Sequence, residues 1–181
     1  MEKESGLQRV LETDALIIGA GPAGCACALQ LLKQGKRVVI VDIASFPRQS
    51  PGETLHPGIE PLLERLGVME KALEVVFSRH NGINIVTNGN TVFTPYSETE
   101  NWEGFQLSRS DFDRVLVEEA QRRGASVYLK EPPRSLVIDN DGNITAVHCN
   151  SFDVRSNFVN DSTGRRRWMA KRLSVRYENY S

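Results

Sequence analysis

The sequence predicts an α/β fold that begins with a parallel βαβ unit. Asp14–Gly19 is a short apolar run closed by glycine, as in a buried strand, and Arg37–Asp42 is a second run rich in β-branched residues. Between them, Pro22–Gln34 has proline in its first turn and is followed by Gly35, which is typical of a helix and its end. Strand, helix and strand within about 30 residues predict two parallel strands joined by a right-handed crossover.

Helices and strands continue to mix through the rest of the sequence. Pro57–Leu66 and Asp111–Arg123 have helical patterns that end at glycine, and Gly82–Thr94 has the alternation of a hairpin. Trp102–Leu107 is expected to pair beside that hairpin. Further strands are predicted at Ser126–Lys130, Ser135–Ile138, Ile144–Cys149 and Ser156–Asn160. The segments expected outside strands are the polar lead-in Met1–Thr13 with a short helical tendency, the loop Ala44–His56, the short helix Glu70–Phe77 and the basic, helical tail Arg165–Arg176.

The composition is that of a globular protein with one domain of ordinary size. The chain has 181 residues, 40% of them hydrophobic and 25% charged, and its net charge of −1 gives no indication of nucleic acid or an anionic membrane. The long apolar stretch Ala15–Leu32 is interrupted by three glycines and a proline, which argues against a membrane span or a signal segment. The three cysteines have neither disulfide nor metal-ligand spacing, so we expect no metal site and a reducing, cytoplasmic location.

The turn after the first strand carries a G-x-G-x-x-G pattern between a predicted strand and a predicted helix. The first glycine permits the tight turn, the second lets a pyrophosphate approach the backbone, and the third lets the helix pack closely on the sheet. Asp42 follows about 20 residues later at the end of the second strand, where a carboxylate accepts hydrogen bonds from an adenosine ribose. These features predict dinucleotide binding without deciding between NAD and FAD. The candidate phosphate-binding residues are Gly19, Gly21, Pro22, Ala23 and Gly24.

Four further motifs decide between the two dinucleotides. They are Phe46-Pro47-Arg48, Gly52-Glu53-Thr54 before a helix, the arginine and F-D helix start of Leu107–Asp113, and Asp161-Ser162-Thr163-Gly164. In order and spacing the sequence resembles FAD enzymes of the group that includes flavin-dependent monooxygenases, geranylgeranyl reductases and tryptophan halogenases. The resemblance implies FAD as cofactor and a Rossmann-like FAD-binding domain of the glutathione-reductase type, with an added β-hairpin or meander.

The same resemblance implies roles for individual side chains, and each has a plainer alternative. Arg48 and Arg109 would contact the FAD, but both could be solvated surface arginines. Glu53 would belong to the flavin-facing loop or cap the following helix. Asp161 and Gly164 would lie near the ribityl chain and pyrophosphate, whereas Asp161 could be a simple turn aspartate. Asp42 stands where these enzymes usually have glutamate, and its side chain is shorter.

One position separates the members of this group. Halogenases carry a lysine shortly after an Asn-Gly pair, but here Asn81-Gly82 is followed by Ile83-Asn84-Ile85, and their paired-tryptophan motif is also missing. The resemblance therefore implies a monooxygenase related to tryptophan halogenases, acting on a small-molecule or tryptophan-like aromatic substrate. The reductant would be external NAD(P)H or reduced flavin, since no second G-x-G-x-x-G is present. No catalytic residue is identified, and His56 and His80 are interpreted as structural or surface histidines.

Enzymes of this group normally have much longer chains, with a further substrate-binding sheet and a G-D motif. We therefore expect residues 1–181 to form an incomplete FAD-binding domain, with its C-terminal part missing and little activity alone, in which 78–108 starts the substrate-side β insertion. The alternatives are a non-catalytic FAD- or nucleotide-binding module completed by a partner chain, and a fragment of a halogenase or a geranylgeranyl-reductase-type enzyme. Nucleic-acid binding through Arg165–Arg176 is disfavoured against a solvated helix face, and an NAD dehydrogenase has no use for the four later motifs.

Overall fold

A computed structural model describes residues 9–48, 51–99 and 102–176. The described chain folds as two compact units, Met1–Ser45 with Val117–Ser181 and Phe46–Leu116. The strands are β1 (Arg9–Ile18), β2 (Val38–Asp42), β3 (Gly52–Leu55), β4 (Val76–His80), β5 (Gly82–Thr87), β6 (Asn90–Pro95), β7 (Gly104–Ser108), β8 (Ser126–Leu129), β9 (Pro133–Ile138), β10 (Ile144–Cys149) and β11 (Phe152–Asp161). The α-helices are α1 (Pro22–Lys33), α2 (Glu60–Leu66), α3 (Met69–Leu73), α4 (Arg109–Arg122) and α5 (Trp168–Arg172), with 3₁₀ turns at Pro57–Ile59 and Gly164–Arg166.

The first unit is built on a six-stranded sheet in the order β8-β2-β1-β11-β10-β9. Strands β8, β2, β1 and β11 are parallel, and β9–β10 is an antiparallel hairpin that continues the sheet from β11. Strand β2 is buried along its whole length, as expected for a parallel strand covered on both faces. The predicted βαβ unit and α/β fold class are confirmed.

One core cluster fills a face of this sheet. Its buried members are Leu16, Ile18, Val39, Val41, Val147, Cys149, Phe152 and Val154. Because residues from β1, β2, β10 and β11 contribute to it, the end of β1 is held from both sides, and the turn that follows β1 starts from a rigid edge.

The strand that begins the first unit is longer than predicted. Residues 9–13 were expected in a polar lead-in with helical tendency, but β1 already starts at Arg9. Arg9–Thr13 pairs in parallel with Phe152–Ser156 of β11, a partner far along the chain that local patterning does not reveal. The first eight residues of that lead-in lie outside the described residues.

The second unit contains a three-stranded sheet in the order β3-β7-β4 and a separate hairpin, β5–β6. The hairpin and its Asn88-Gly89 turn are as predicted, with φ of 51° and 79° at the two turn residues. Two expectations are wrong: Gly52–Leu55 is a strand within the predicted loop, and β7 pairs with β3 and β4 and not beside the hairpin. In both cases the pairing partner is distant in sequence.

The helix ends follow the predicted glycines. Gly35 follows α1 with a φ of 74°, and Gly67 closes α2 in the left-handed region with a φ of 68°. Across the described residues, no helix is long and apolar enough to cross a bilayer.

Candidate cofactor site

The predicted phosphate turn joins β1 to the N-terminus of α1. Gly19 N donates to Val41 O at 2.8 Å, and Gly21 is the extended N-cap residue of α1. No side chain in the described part of the chain caps this helix end, and no acidic residue stands in its first turn. The first N–H groups of a helix have no partner inside the helix, so those of Ala23 and Gly24 suit an anion. This arrangement fits the pyrophosphate of a dinucleotide.

The outer glycines of the turn are required by close approaches of backbone to backbone. Gly19 has a φ of 108°, and a Cβ there would lie 2.5 Å from the carbonyl oxygen of Ser162. A Cβ on Gly24 would overlap the carbonyl oxygen of Gly19. The turn is therefore packed between α1 and the segment after β11, as predicted for the first and third glycines of the motif.

Asp42 holds this turn in place. The residue is only 7% exposed, and its Oδ2 accepts a hydrogen bond from Ala20 N at 2.6 Å while Oδ1 accepts one from Ala44 N at 2.7 Å. Ala20 lies inside the phosphate turn, so the carboxylate links the turn to the end of β2. The sequence alone does not predict this hydrogen bond to the turn. Contact between Asp42 and a ribose stays a prediction.

The Asp161–Gly164 motif follows β11 directly beside the phosphate turn. Ser162 N donates to Ile18 O at 2.8 Å. Asp161 accepts through Oδ1 from Thr163 N and Oγ1, at 3.0 and 2.6 Å, and through Oδ2 from Met169 N at 2.7 Å. The Thr163 hydroxyl in turn accepts from Trp168 N at 3.0 Å.

Through these bonds Asp161 fixes the turn that leads into the start of α5. This agrees with its interpretation as a turn aspartate. A shallow open groove of about 280 Å³ lies alongside; it is lined by Asp161, Gly164, Arg167, Met169, Ala170, Leu173 and Val175. Gly164 has a φ of 60° and open space where a Cβ would stand. Contact of Asp161 and Gly164 with the cofactor stays a prediction.

In the second unit, the predicted residues Arg48, Glu53 and Arg109 come together around Asp113. Arg48 donates to Asp113 Oδ2 through Nη2 at 2.6 Å and Nε at 3.0 Å. Arg109 donates through Nε to Asp113 Oδ1 at 3.1 Å and through Nη1 to Glu53 Oε2 at 2.8 Å. Partial burial lowers the pKa of Arg109, but its hydrogen bonds to Asp113 and Glu53 outweigh this effect and raise the pKa above its ordinary value. We call these four residues the arginine cluster.

Asp113 lies within the motif Leu107–Asp113 but was not predicted as a site residue. A carboxylate four positions after an arginine on a helix is an ordinary surface pair. Nothing in the pattern indicates that this one is fully buried and shared with Arg48, which is 65 residues away in sequence.

Four ring side chains that are separate in sequence also meet in the second unit. The ring of His56 lies edge-on to those of Tyr96 and Trp102, with centroids 4.8 and 5.8 Å apart. Tyr96 Oη and His80 Nδ1 are 3.1 Å apart, and His80 Nε2 is buried without a hydrogen-bond partner among the described residues. His56 Nδ1 accepts from Gly58 N at 3.2 Å, which is the helix-capping role of a structural histidine.

The segment after Asn81-Gly82, where the resemblance to halogenases implies a lysine, lies on β5. Ile83 and Ile85 are 49% and 47% exposed there, and no side chain at this place can donate a proton. By sequence, Lys71 is the one lysine between residues 46 and 116, and it precedes Asn81-Gly82 by ten positions on α3.

Comparison with known proteins agrees with this geometry. A family model described as an FAD binding domain matches residues 12–181. Tryptophan 2-halogenase from Chondromyces crocatus is 28% identical over 169 residues, which are 91% of this chain and 32% of that protein. 6-Methylpretetramide 4-monooxygenase from Streptomyces rimosus is 40% identical over 81 residues, which are 44% of this chain and 19% of that protein.

Solved structures show the same fold. A geranylgeranyl bacteriochlorophyll reductase-like protein from Thermoplasma acidophilum superposes with a TM-score of 0.82 at 20% identity, over 95% of this chain and 44% of that one. The flavin-dependent brominase Bmp2 superposes with a TM-score of 0.78 at 24% identity, over 90% of this chain and 40% of that one. The chain thus spans less than half the length of each of these four relatives.

Proposed function

Since this chain belongs to the FAD binding domain family and has FAD as its cofactor, we propose that it is the FAD-binding portion of a flavin-dependent monooxygenase. The observation that carries the choice of monooxygenase is the segment after Asn81-Gly82. Isoleucines occupy β5 where the resemblance to halogenases implies a lysine. An isoleucine side chain can neither hold nor protonate a hypohalous acid. The monooxygenase from Streptomyces rimosus, at 40% identity over its matched segment, supports the same choice.

Two groups of residues are proposed to hold the cofactor. In the first unit, the bare N-terminus of α1 at Gly21–Gly24 would bind the pyrophosphate, with Asp42 keeping the turn in shape. Asp161 and Gly164 would border the ribityl chain. The arginine cluster of the second unit is proposed separately as a set of cationic donors for an anionic part of FAD.

When bound, FAD supplies the redox chemistry, since it can take up two electrons and react with O₂ when reduced. The proposed reaction places one oxygen atom of O₂ on a small aromatic substrate and releases the other as water. Its two electrons come from external NAD(P)H or reduced flavin. The residues of this chain would orient the cofactor and exclude water from it.

Mass spectrometry of the reaction products tests the proposal. The FAD-loaded enzyme of which this chain is proposed to be the FAD-binding portion would be incubated with a reductant, O₂, a panel of indoles and other aromatic acids, and both chloride and bromide. We expect products that have gained one oxygen atom, in equal yield with and without halide. A product in which halogen has replaced hydrogen would contradict the proposal, and so would saturation of a carbon–carbon double bond without oxygen incorporation.

A second candidate function is a non-catalytic FAD-binding module. The β5–β6 hairpin favours it, because both of its faces carry exposed apolar side chains, among them Val86 at 68% and Val92 at 60% exposure. Such a surface suits coverage by further polypeptide. Stoichiometric FAD binding without any substrate-dependent oxidation of NAD(P)H or reduced flavin would favour this second function.

A further inference from the structure

Asp113 is the most deeply buried charge in the arginine cluster. Its side chain is 0% exposed, whereas those of Arg48 and Arg109 are 24% and 25% exposed and that of Glu53 is 39% exposed. One carboxylate receives both arginines, Arg48 through two N–H groups on Oδ2 and Arg109 through Nε on Oδ1 and Nη2 on Oδ2. We propose that Asp113 is a positioning residue that orients Arg48 and Arg109 for binding an anionic part of the cofactor. This inference rests on the proposed cofactor role of the two arginines.

The cluster combines two guanidinium groups with two carboxylates, those of Asp113 and Glu53. An anion that displaced the Glu53 carboxylate would meet two guanidinium groups that both contact the single carboxylate of Asp113. Glu53 is the most exposed member and accepts a hydrogen bond from Arg109 through Oε2. Because the Glu53 side chain is 39% exposed, water screens this pair, and an incoming anion can compete with Glu53 for Arg109.

The geometry also leaves donors for a ligand. Arg109 has five N–H groups, and in the described residues it makes two hydrogen bonds to Asp113, through Nε and Nη2, and one to Glu53, through Nη1. A guanidinium held by two carboxylates has already lost its rotamer freedom, which is about 2 kcal/mol for a free arginine. Binding then costs less conformational entropy, which is the advantage of a preorganised site.

The variant Asp113→Asn distinguishes a positioning role from a purely electrostatic one, because the two roles predict opposite changes in the affinity for FAD. The substitution adds one unit of positive charge to the cluster while it loosens both arginines. If the arginines act only through their charge, FAD should bind as tightly or more tightly. If Asp113 positions them, FAD should bind about tenfold more weakly despite the added positive charge.

The dissociation constants of FAD and of ADP would be measured by flavin fluorescence and calorimetry, with the urea midpoint of each variant recorded. Asp111→Asn is the matched control, since Asp111 lies on the same helix, is 44% exposed and pairs only locally with Arg114 at 3.4 Å. We expect Asp113→Asn to bind both FAD and ADP more weakly than the wild type, and Asp111→Asn to bind both with unchanged affinity. The double variant Asp113→Asn with Arg48→Met should bind no worse than Asp113→Asn alone, because the contribution of Arg48 would already be lost.

Arg48→Lys is measured beside Asp113→Asn as a second, independent variant. Lysine keeps the charge but cannot bridge Asp113 through two nitrogens, and we expect it to weaken FAD binding as well. Unchanged or tighter FAD binding by a folded Asp113→Asn protein overturns the inference. If Asp113→Asn does not fold, wild-type affinity in Arg48→Lys overturns it instead. Failure of the wild-type chain to bind FAD would count against the proposed function of the chain, a distinct result.

Discussion

Replacing Asp42 by asparagine should destabilise the protein even in the absence of FAD. The carboxylate is buried, and each of its oxygens accepts a backbone N–H, from Ala20 at 2.6 Å and from Ala44 at 2.7 Å. Asparagine keeps one acceptor oxygen and places an NH₂ group against the other N–H. The phosphate turn would therefore lose its link to β2, or Ala44 would lose its acceptor.

The size of the effect follows from those two bonds. A hydrogen bond to a charged group contributes about 1.5–3 kcal/mol, and a buried donor left without a partner adds a penalty of about 1–3 kcal/mol. Allowing for partial relaxation of the partly buried Ala44, we expect Asp42→Asn to lower the free energy of unfolding by about 2–4 kcal/mol. With a urea m-value of about 2 kcal/mol/M, the unfolding midpoint would fall by about 1–2 M.

Urea unfolding of the FAD-free protein, followed by circular dichroism, measures this shift. Asp14→Asn is the matched control, because Asp14 also accepts a backbone N–H, from Arg37 at 2.8 Å, but lies at the exposed start of the apolar part of β1. We expect a much smaller shift for the control. An aspartate whose only role was to bind ribose would leave the FAD-free midpoint unchanged, so equal midpoints for wild type and Asp42→Asn would refute the reasoning.

Three further predictions concern the same unit. Gly24→Ala should lower the free energy of unfolding in urea by about 3 kcal/mol or more, because its methyl group would overlap a backbone oxygen. Gly52→Ala is the control and should be tolerated, because its added carbon meets its nearest atom at 3.5 Å. Burial, assisted by two nearby carboxylates, raises the pKa of Cys149 to about 12 from its ordinary 9.0. Between pH 9 and 12 the thiol therefore keeps its proton in the folded protein and loses it in the unfolded chain. In that interval the unfolding free energy of the wild type should fall by about 1.4 kcal/mol per pH unit relative to that of Cys149→Ala. Parallel pH profiles of the two proteins would contradict this. Glu119 is 1% exposed and accepts a hydrogen bond from Arg123 Nε at 2.6 Å. Glu119→Gln should therefore lower the free energy of unfolding by about 1–3 kcal/mol. An unchanged thermal midpoint would show that the buried charge is not needed for stability.

The elements that were predicted correctly are those whose signals are local. The βαβ unit, the glycine turn at Gly19–Gly24 and the Asn88-Gly89 hairpin depend on residues within a few positions of each other. The elements that were missed, Arg9–Thr13 and Gly52–Leu55, are strands because a distant segment pairs with them. Their own residues are compatible with a loop, so only the partner decides their conformation.

The residues of the candidate site also differ in whether local sequence or a distant segment determines their role. The residue types of the phosphate turn determine its conformation directly, since only glycine has the freedom and the absence of a side chain that Gly19 and Gly24 require. Asp42 was found as a candidate, but its hydrogen bond to Ala20 depends on the parallel pairing of β1 and β2. The importance of Asp113 could not be read from the sequence, because a carboxylate is equally suited to solvent.

The sequence alone predicts the βαβ unit with its phosphate-binding turn and, through four further motifs, the FAD-binding group. The structure adds that Asp42 orders the turn and that Asp113 orders the arginine cluster. The glycine turn is predictable because its positive φ at Gly19 and its closeness to the start of α1 favour glycine within a short stretch of sequence. The burial and pairing of Asp42 and Asp113 are set by segments that meet through folding, and whether a charge is solvated or shared between two arginines depends on those neighbours alone.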